Sequence, residues 1–463
     1  MGDGQTDDTD AISRAVVAVG SGVVFLPPGR YAVSRAIVLT GYGLTLMGAG
    51  AQAPACSTAG SALLSLTTNS TVLDIAGCSA CAVRQLWLGH SHASSTLPDS
   101  RRCAAAMTAR YRPARRGHSG NTAVLGRPID ASEDFQHPTV GTAIVVRHSS
   151  FDIMLSNLWI SAVWTGIAMT SMANTVTILD TLIIDVYGPY GIYAGADSGS
   201  RVDILQISRL TTNNGPTANS SCIWIDIGAG TNTVRLDNVG LIHGGTGVRM
   251  SSPSVEPAGV SPGRPLFLIA NDLEVDFPSR TAVDLSEGEE AQFSNCYWQG
   301  AGNGTVQNGT EIASAVGVGL YVGPRWSSEL MVTNTRIFAN HASGVELAGG
   351  SHAVIGNNVI GMNNVGGFNG SSILVRSGVS DFALHGNHAG AVSGKPPLGA
   401  LAATRYGIEV EAGNSDRYTI VGNTLFGNQL GGVSDGGRGA TKSVIGNVDG
   451  TQASATKHAV LFL

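Results

Sequence analysis

The chain has 463 residues, of which 62 are glycine, while 13% are charged and 6% are aromatic. This composition is typical of short strands and tight turns, and it excludes a bundle of long surface helices. The formal net charge of -6 argues against nucleic acid or an anionic membrane as partner, since both require basic patches. No run approaches the ~18 apolar residues of a membrane span, and no secretory signal is predicted at this N-terminus.

The first predicted element is a helix over residues 6–17. Thr6 or Asp7 can serve as its N-cap, and Ile12, Val16 and Val17 lie on one helical face. Strands are predicted next over residues 22–26 and 36–47. An apolar helix face beside strands is typical of an end cap, which covers strand edges that otherwise invite aggregation.

One pattern then returns through most of the chain: a small residue, an aliphatic one, a variable one and a second aliphatic one. About a dozen copies occur, mostly about 23 to 35 residues apart. They lie at residues 72–75, 143–146, 166–169, 191–194, 222–225, 247–250, 282–285, 319–322, 344–347, 372–375, 407–410 and 432–435. Period-2 strands with no helical stripe between them predict a β-solenoid, in which each coil buries its apolar residues by stacking on its neighbours.

Asparagines recur in the strand that follows most copies. They are Asn157, Asn238, Asn271, Asn295, Asn334, Asn357, Asn387, Asn423 and Asn447. We interpret them as one structural column whose amides pair from coil to coil. The predicted organisation is a cap with the first strands over residues 1–50, followed by about a dozen coils over residues 51–463. Loop insertions are expected near residues 90–138 and 251–265, where the period breaks.

The N-terminal segment carries three motifs. They read Gly2-Asp3-Gly4-x-x-Asp7-Asp8-Thr9-x-Ala11-Ile12, then Val23-Val24-Phe25-Leu26-Pro27-Pro28-Gly29-x-Tyr31, then Leu44-x-Leu46-x-Gly48-x-Gly50. These motifs resemble the opening of the pectate-lyase-like superfamily, which includes polysaccharide lyases, glycoside hydrolases and phage tailspike depolymerases. The resemblance implies an all-β, single-stranded right-handed parallel β-helix with an N-terminal capping helix, and it assigns Asp7-Asp8 to the cap. The Asn-x-Asp, Asp-Asp and Gly-His-Gly set of polygalacturonases is absent.

The variable position of each repeat is predicted to face outward, because the residues beside it are apolar and face the core. In coil order this ladder runs Tyr193, Trp224, Arg249, Asp284, Tyr321, Glu346, Leu374 and Glu409. Aromatic rings stack on apolar sugar faces and charged groups bind hydroxyls, so the ladder predicts a track for a polysaccharide. The alternative is an ordinary solvated sheet face with scattered aromatic residues.

A catalytic pair is predicted within the ladder. Asp284 and Glu346 are expected two coils apart, ~9 to 10 Å between their Cα atoms, with Tyr321 between them. Glycoside hydrolysis with inversion uses two carboxylates ~6.5 to 9.5 Å apart, one as general acid and the other as general base. Asp284 and Glu346 are therefore the predicted acid and base.

A second acidic cluster competes with this pair. Asp272, Glu274 and Asp276 alternate with aliphatic residues and are predicted to share one outer face. Mutual repulsion in such a group raises the pKa of a carboxyl, which suits acid catalysis, or the group binds Ca²⁺; the alternative is a hydrated surface. The acidic cluster and Asp284 lie across one turn from each other and would border a single groove, with Trp298 as its floor.

Arg325 and Trp326 lie in a predicted turn beside Tyr321, and they are predicted to clamp a sugar ring.

The cysteines and the first loop leave alternatives open. Cys78 and Cys81 have the spacing of metal ligands, but the second matched pair of a zinc site is missing, so buried thiols or disulfides are favoured.

The loop near residues 90–138 is rich in arginine and would bind an acidic polysaccharide or a neighbouring subunit; the alternative is a solvated surface loop. Its arginines are Arg101, Arg102, Arg110, Arg112, Arg115 and Arg116.

Three functional classes remain, all with a polysaccharide or oligosaccharide as partner. A glycoside hydrolase without a cofactor comes first. A polysaccharide lyase comes second, with Arg249 or a tyrosine as base and Ca²⁺ on the acidic strand. A non-catalytic glycan-binding rod comes third.

The tailspike resemblance and the apolar residues 459–463 imply a homo-oligomer, for example a trimer. The same resemblance implies an extracellular or virion-associated location.

Overall fold

The computed structural model describes residues 2–51, 60–67, 70–90, 141–195, 202–215, 220–226, 232–251, 267–302, 306–307, 310–311, 316–391 and 404–451. In this part of the chain 36 strands join in one network, and each full coil contributes a strand to three faces in turn, here called A, B and C. The pairings between successive coils are parallel, and the one antiparallel pair described is Val306–Gln307 with Thr310–Glu311. This architecture is the predicted parallel β-helix.

The strands fall into the three faces as follows. Face A contains Ile37–Tyr42, Leu73–Ser79, Thr142–Arg147, Ser221–Asp226, Thr246–Ser251, Val283–Gly288, Leu320–Trp326, Val345–Leu347, Ile373–Val375, Tyr406–Gly413 and Gly431–Gly437. Face B contains Gly22–Leu26, Leu44–Gly48, Ala82–Arg84, Ser150–Ser156, Glu290–Ser294, Leu330–Thr333, Ala353–Gly356, Phe382–His385, Tyr418–Val421 and Lys442–Ile445. Face C contains Asp3–Asp7, Gly29–Val33, Ser61–Ser65, Trp87–His90, Tyr297–Gln299, Arg336–Phe338, Val359–Gly361, His388–Gly390, Thr424–Asn428 and Val448–Thr451.

Five longer strands bend across a corner and serve more than one face. Trp159–Met169 runs from face C to face A, and Ala173–Ala194 crosses all three faces. Ile204–Asn214, Thr233–His243 and Phe267–Asp276 run from face B to face C. Aliphatic side chains from all three faces fill one continuous core that extends from Ile12 to Leu425. Stacking of the coils thus buries aliphatic side chains that a single coil would leave exposed.

The cap is a single helix, Thr9–Val19, between the first strands of faces C and B. Ile12 and Val16 are buried as predicted, whereas Val17 is 80% exposed, so its assignment to the apolar face was wrong. The helix also begins later than predicted, and Thr6 lies in the preceding strand. Asp7 accepts hydrogen bonds from the backbone N–H of Thr9 and the hydroxyl of Ser34, which confirms its place in the cap. No described helix is long and apolar enough to cross a membrane.

The asparagines form two adjacent columns rather than one. Asn157, Asn238, Asn295, Asn334 and Asn357 adopt left-handed backbone conformations at the corner between faces B and C, where asparagine is tolerated better than most residues. The inward position next to this corner holds the amide ladder. There Asn358 donates to Asn387, Asn387 to Asn423, and Asn423 to Asn447, each through its side-chain Nδ2 at 2.9 to 3.0 Å.

The described cysteines carry no metal site. Cys78 and Cys81 form a disulfide across the corner between faces A and B, and Cys222 and Cys296 are buried thiols. These states agree with the preferred interpretation from the sequence. The two predicted loop insertions, apart from their first residues, and the apolar residues 459–463 lie outside the described residues.

Candidate functional site on face A

The outward ladder exists in the predicted register. Parallel pairing places Tyr193 beside Trp224, Trp224 beside Arg249, and Arg249 beside Asp284. The pairing then continues through Tyr321, Glu346, Leu374 and Glu409. Because neighbouring strands lie ~4.8 Å apart, these side chains follow one line along face A. The line passes from aromatic to charged residues.

The aromatic end of the ladder is a compact cluster. The ring of Tyr190 stacks on Tyr193 with 4.9 Å between centroids, and it meets Trp224 edge-on at 5.0 Å. Tyr193 is half-buried, and its hydroxyl donates to Asp226 at 3.1 Å. Trp224 is only 7% exposed, so the prediction that its ring face is open to a sugar was wrong. Tyr193 and Tyr321 are the half-buried aromatic residues of the ladder that a ligand can reach.

Arg249 covers Trp224. Its guanidinium lies 4.5 Å from the centroid of the indole ring, and its Nε donates to the hydroxyl of Ser251 at 2.9 Å. The indole N–H of Trp224 donates to the carbonyl of the same Ser251 at 3.2 Å. One hydrogen bond and one stacking contact therefore orient the guanidinium of Arg249, and the bond from Trp224 to Ser251 holds the ring beneath it.

Asp284 is the first carboxylate of the pair. It is half-buried, and one of its oxygens accepts a hydrogen bond of 2.5 Å from the hydroxyl of Ser286. Burial raises the pKa of Asp284, and this effect exceeds the lowering effects of Ser286 and Arg249. A carboxyl whose pKa is raised in this way suits a general acid, which must hold its proton until the reaction.

Glu346 is the second carboxylate, and its surroundings differ. Its Oε1 pairs with Nε of Arg376 at 2.9 Å, and Nη1 of the same arginine binds Glu411 at 2.6 Å. These charge-assisted contacts hold the Glu346 carboxylate in one position. Tyr321 lies between the two acids, and burial followed by the charges of Glu346 and Asp284 raises its pKa. The phenol is therefore an electrostatic neighbour of both carboxylates.

The acidic strand lies on another face of the coil. Glu274 and Asp276 point outward from face C, where they are in register with Tyr297 and Gln299 of the next coil. Asp272 does not join them on that face. It occupies the left-handed corner with a φ of 55°, so that Asn271 and Asp272 are both exposed and the strict alternation breaks there. The prediction of three carboxylates on one face was wrong for this reason.

Glu274 and Asp276 form a hydrogen-bonded pair of carboxyl groups. Desolvation raises the pKa of both, although solvent still reaches Glu274, and the charge of Glu274 raises the pKa of Asp276 further. Asp276 accepts a hydrogen bond of 2.8 Å from Gln299, which in turn accepts one of 2.6 Å from Tyr297. Among the described residues no group of three potential metal ligands lies together.

Comparisons with known proteins bear on this fold. A family model described as rhamnogalacturonase A/epimerase, pectate lyase-like, matches residues 1–214, and a model described as right handed beta helix region matches residues 286–449. These two matches confirm the resemblance to the pectate-lyase-like superfamily of right-handed parallel β-helices. Among curated proteins, none matches its sequence.

Solved structures show the same fold at low sequence identity. The pre-mature gene product 12 of bacteriophage phi29 is 14% identical, with a TM-score of 0.58 over 97% of this chain and 55% of its own. The A-module of the mannuronan C-5 epimerase AlgE6 from Azotobacter vinelandii is 16% identical, with a TM-score of 0.49 over 97% of this chain and 96% of its own. At such identities the likeness concerns the fold alone.

Three further site predictions on this pectate-lyase-like β-helix were wrong or changed. Trp298 is fully buried, because it is the inward residue of Tyr297–Gln299 and packs edge-on against Phe293. It cannot form the floor of a groove. Trp326 is 2% exposed and cannot clamp a sugar. Arg325 is exposed, but it forms an ion pair with Glu287.

Sequence reasoning missed three residues of face A. Asp226 is buried and accepts the hydroxyl of Tyr193, while Arg376 and Glu411 fix the position of Glu346. Each of the three lies two residues after a ladder position, at 224, 374 and 409. In a strand this offset returns a side chain to the same face. The signal was therefore present in the period-2 pattern.

Proposed function

We propose that this β-helix hydrolyses a polysaccharide on face A, with Asp284 as general acid and Glu346 as general base. The observation that carries the proposal is the placement of these two carboxylates on either side of Tyr321 in one outward ladder. Two coil steps put their Cα atoms ~9 to 10 Å apart. This spacing suits an inverting mechanism, in which ~6.5 to 9.5 Å between the carboxyl groups leaves room for a water molecule.

The two carboxylates have different surroundings. Burial raises the pKa of Asp284, as is typical of an acid that donates to the leaving oxygen. Arg376 pairs with Glu346 at 2.9 Å and orients this carboxylate as the base that activates water.

The family comparison supports a polysaccharide as substrate. The model matched by residues 1–214 names a rhamnogalacturonase and an epimerase. The solved structures of similar fold include a mannuronan epimerase and a bacteriophage protein. We infer from the same fold an extracellular or virion-associated setting. The homo-oligomer expected from the sequence stays a prediction.

The second candidate is a polysaccharide lyase, and the position of Arg249 and Tyr321 on either side of Asp284 favours it. Either side chain could abstract a proton from a uronate. If Ca²⁺ took part, Glu274 and Asp276 are the adjacent carboxyl groups of the acidic strand that could bind it, on face C rather than face A. The hydrolase is preferred because the carboxylate pair lies on the ladder itself.

The products distinguish the classes. We expect the protein to release new reducing ends from its polysaccharide substrate without the ultraviolet absorbance of an unsaturated sugar. Hydrolysis adds water across the glycosidic bond, whereas β-elimination leaves a double bond in the sugar. Reducing ends accompanied by that absorbance would identify a lyase. Binding of the polysaccharide with no new reducing end would identify a glycan-binding rod.

A binding prediction concerns Tyr193, a half-buried ring of the aromatic cluster that also belongs to the ladder. Tyr193→Ala is expected to weaken glycan binding by about 1 kcal/mol, the magnitude of one stacking contact, while the turnover of bound substrate changes little. Calorimetric titration measures the first quantity and saturating kinetics the second. Trp298→Phe provides a matched aromatic control inside the core. A fall in turnover with unchanged affinity would contradict a binding role for Tyr193.

A further inference from the structure

Ser286 is the direct hydrogen-bond partner of the proposed acid. It lies two residues after Asp284 in the strand Val283–Gly288, and this offset brings both side chains to the outer side of face A. The hydroxyl of Ser286 donates to Oδ1 of Asp284 at 2.5 Å. Such a distance lies at the short end of the range for a hydroxyl and a carboxyl group, and it is typical of a charge-assisted hydrogen bond.

The titratable and charged groups that face Asp284 come from the coils on either side. They are Arg249 on the preceding coil, Tyr321 on the following coil and Glu346 one coil beyond. Arg249 acts on Asp284 through its charge. On the strand of Asp284 itself, Glu287 is buried on the inner side and pairs with Arg325. Among the described residues, only Ser286 donates a hydrogen bond to the carboxyl group of Asp284.

The neighbouring coil restricts the backbone of Ser286. Opposite Ser286 the paired strand has two residues, Gly323 and Pro324, where a regular ladder has one. Such an extra residue is a β-bulge, a feature that directs particular side chains beside functional sites. A Cβ atom on Gly323 would lie 2.7 Å from the carbonyl oxygen of Ser286 and 2.8 Å from its Cα. Because the two backbones approach this closely, Ser286 has little room to move away from Asp284.

A general acid changes its charge during the reaction. In the proposed hydrolysis the proton passes from Asp284 to the glycosidic oxygen, whose bond to the anomeric carbon breaks, and that oxygen keeps the electron pair. The carboxyl group of Asp284 is left as a carboxylate. A hydroxyl binds a carboxylate more strongly than a neutral carboxyl group. The hydrogen bond from Ser286 therefore strengthens as the proton leaves, and an interaction that is stronger in the transition state accelerates the reaction.

We propose that Ser286 is a positioning residue of this hydrolysis, which holds the carboxyl group of Asp284 in one orientation and stabilises the carboxylate that forms as the proton leaves. The inference rests on the proposed function, because Ser286 acts through Asp284 and does not bind the substrate. Burial and the hydrogen bond have opposite effects on Asp284. Burial favours the protonated form, whereas the bond from Ser286 favours the ionised form.

The first test is the pH profile of Ser286→Ala. The substitution removes a donor to the charged form of Asp284, so the pKa of this carboxyl group should rise. We expect kcat to fall about 10- to 100-fold, the equivalent of one hydrogen bond to a charged group. The alkaline limb of the kcat/KM profile should move to higher pH, and KM should change little. Ser286→Thr keeps the hydroxyl and should restore the rate and the limb. An unchanged rate with an unmoved limb would overturn the proposal.

A double substitution separates a positioning role from contact with the substrate. If Ser286 acts through Asp284, Ser286→Ala lowers kcat in the unaltered protein but has no further effect in Asp284→Asn, so the two losses do not add. Equal losses in both backgrounds, or a raised KM with unchanged kcat, would assign Ser286 to substrate binding and overturn the proposal.

Ser294→Ala is the matched control. It removes a hydroxyl from the next strand of the same coil, on face B, where Ser294 donates to Asn271 at 3.2 Å. We expect kcat and the alkaline limb to stay unchanged in this variant. A fall in kcat equal to that of Ser286→Ala would indicate a general effect on the coil and would overturn the assignment to Ser286.

Failure of the proposed function would look different. If Asp284→Asn retains turnover, the acid is misassigned and the catalytic role of Ser286 is overturned with it. The titration of the Asp284 carboxyl, followed by carbon NMR and assigned by comparison with Asp284→Asn, does not depend on turnover and should still move to higher pH in Ser286→Ala. If Asp284→Asn abolishes turnover while Ser286→Ala moves neither this titration nor kcat, the inference about Ser286 alone is wrong. Circular dichroism of each variant verifies that the β-helix is intact.

Discussion

Replacing Asp284 by asparagine or Glu346 by glutamine is expected to lower turnover by about 10²- to 10⁴-fold, the usual contribution of a general acid or base. Each amide keeps the size of the side chain but cannot transfer the proton. The measurement is the rate of release of reducing ends at saturating substrate, with circular dichroism to verify the fold. Glu329→Gln is the control, because it makes the same chemical change on an exposed residue outside the ladder.

The pH dependence of activity tests the assignment of Asp284 as the general acid. Burial raises the pKa of Asp284, and a general acid works only below its pKa. Activity should therefore be present at lower pH and be lost as the pH rises through this raised value. The alkaline limb of the kcat/KM profile should disappear in Asp284→Asn, where the residual rate no longer depends on this proton.

One outcome would relocate the site. If Asp284→Asn and Glu346→Gln both keep nearly normal turnover while Glu274→Gln abolishes it, the acidic strand on face C is the catalytic element. The carboxyl pair of Glu274 and Asp276 has raised pKa values and would then supply the acid. The same substitutions thus decide between the two acidic groups of the chain.

The ladder of face A could be predicted because strand periodicity is regular within one face. Each repeat has apolar residues on both sides of the variable position, so the outward direction of Asp284 and Glu346 follows from the pattern alone. Coil stacking then fixes their neighbours, since parallel pairing aligns equivalent positions of successive repeats. The burial of Trp224 could not be read from the pattern, because it depends on how Arg249 folds over the ring.

One error arises where the backbone changes phase. Asp272 occupies a left-handed corner, and the alternation restarts after it, so that the residues before and after it follow different phases. The error at Trp326 has another cause, because Trp326 has the same parity as the inward residues Leu320 and Val322 and its burial agrees with their alternation. The sequence analysis placed Trp326 in a turn, whereas it is the last residue of the strand Leu320–Trp326.

The two asparagine columns lead to a prediction about stability, because neighbouring residues of the same type have different roles. Asn358 is 1% exposed; its amide accepts from the N–H of Thr335 at 2.8 Å and donates to the carbonyl of Val332 and to Asn387. Asn358→Ala removes three buried hydrogen bonds and leaves their partners unsatisfied. We expect a loss of about 3 kcal/mol in the free energy of unfolding, at about 1 kcal/mol for each bond.

Asn357 is the matched control. It is exposed and has a φ of 57°, a conformation that glycine adopts without strain. Asn357→Gly should therefore change the free energy of unfolding by less than about 0.5 kcal/mol, the usual limit for a surface substitution. Denaturant titration followed by circular dichroism measures both variants. Equal losses at the two positions would mean that the corner and the inward ladder act as one structural unit; a large loss in Asn358→Ala alone would show that the buried amide ladder holds successive coils together.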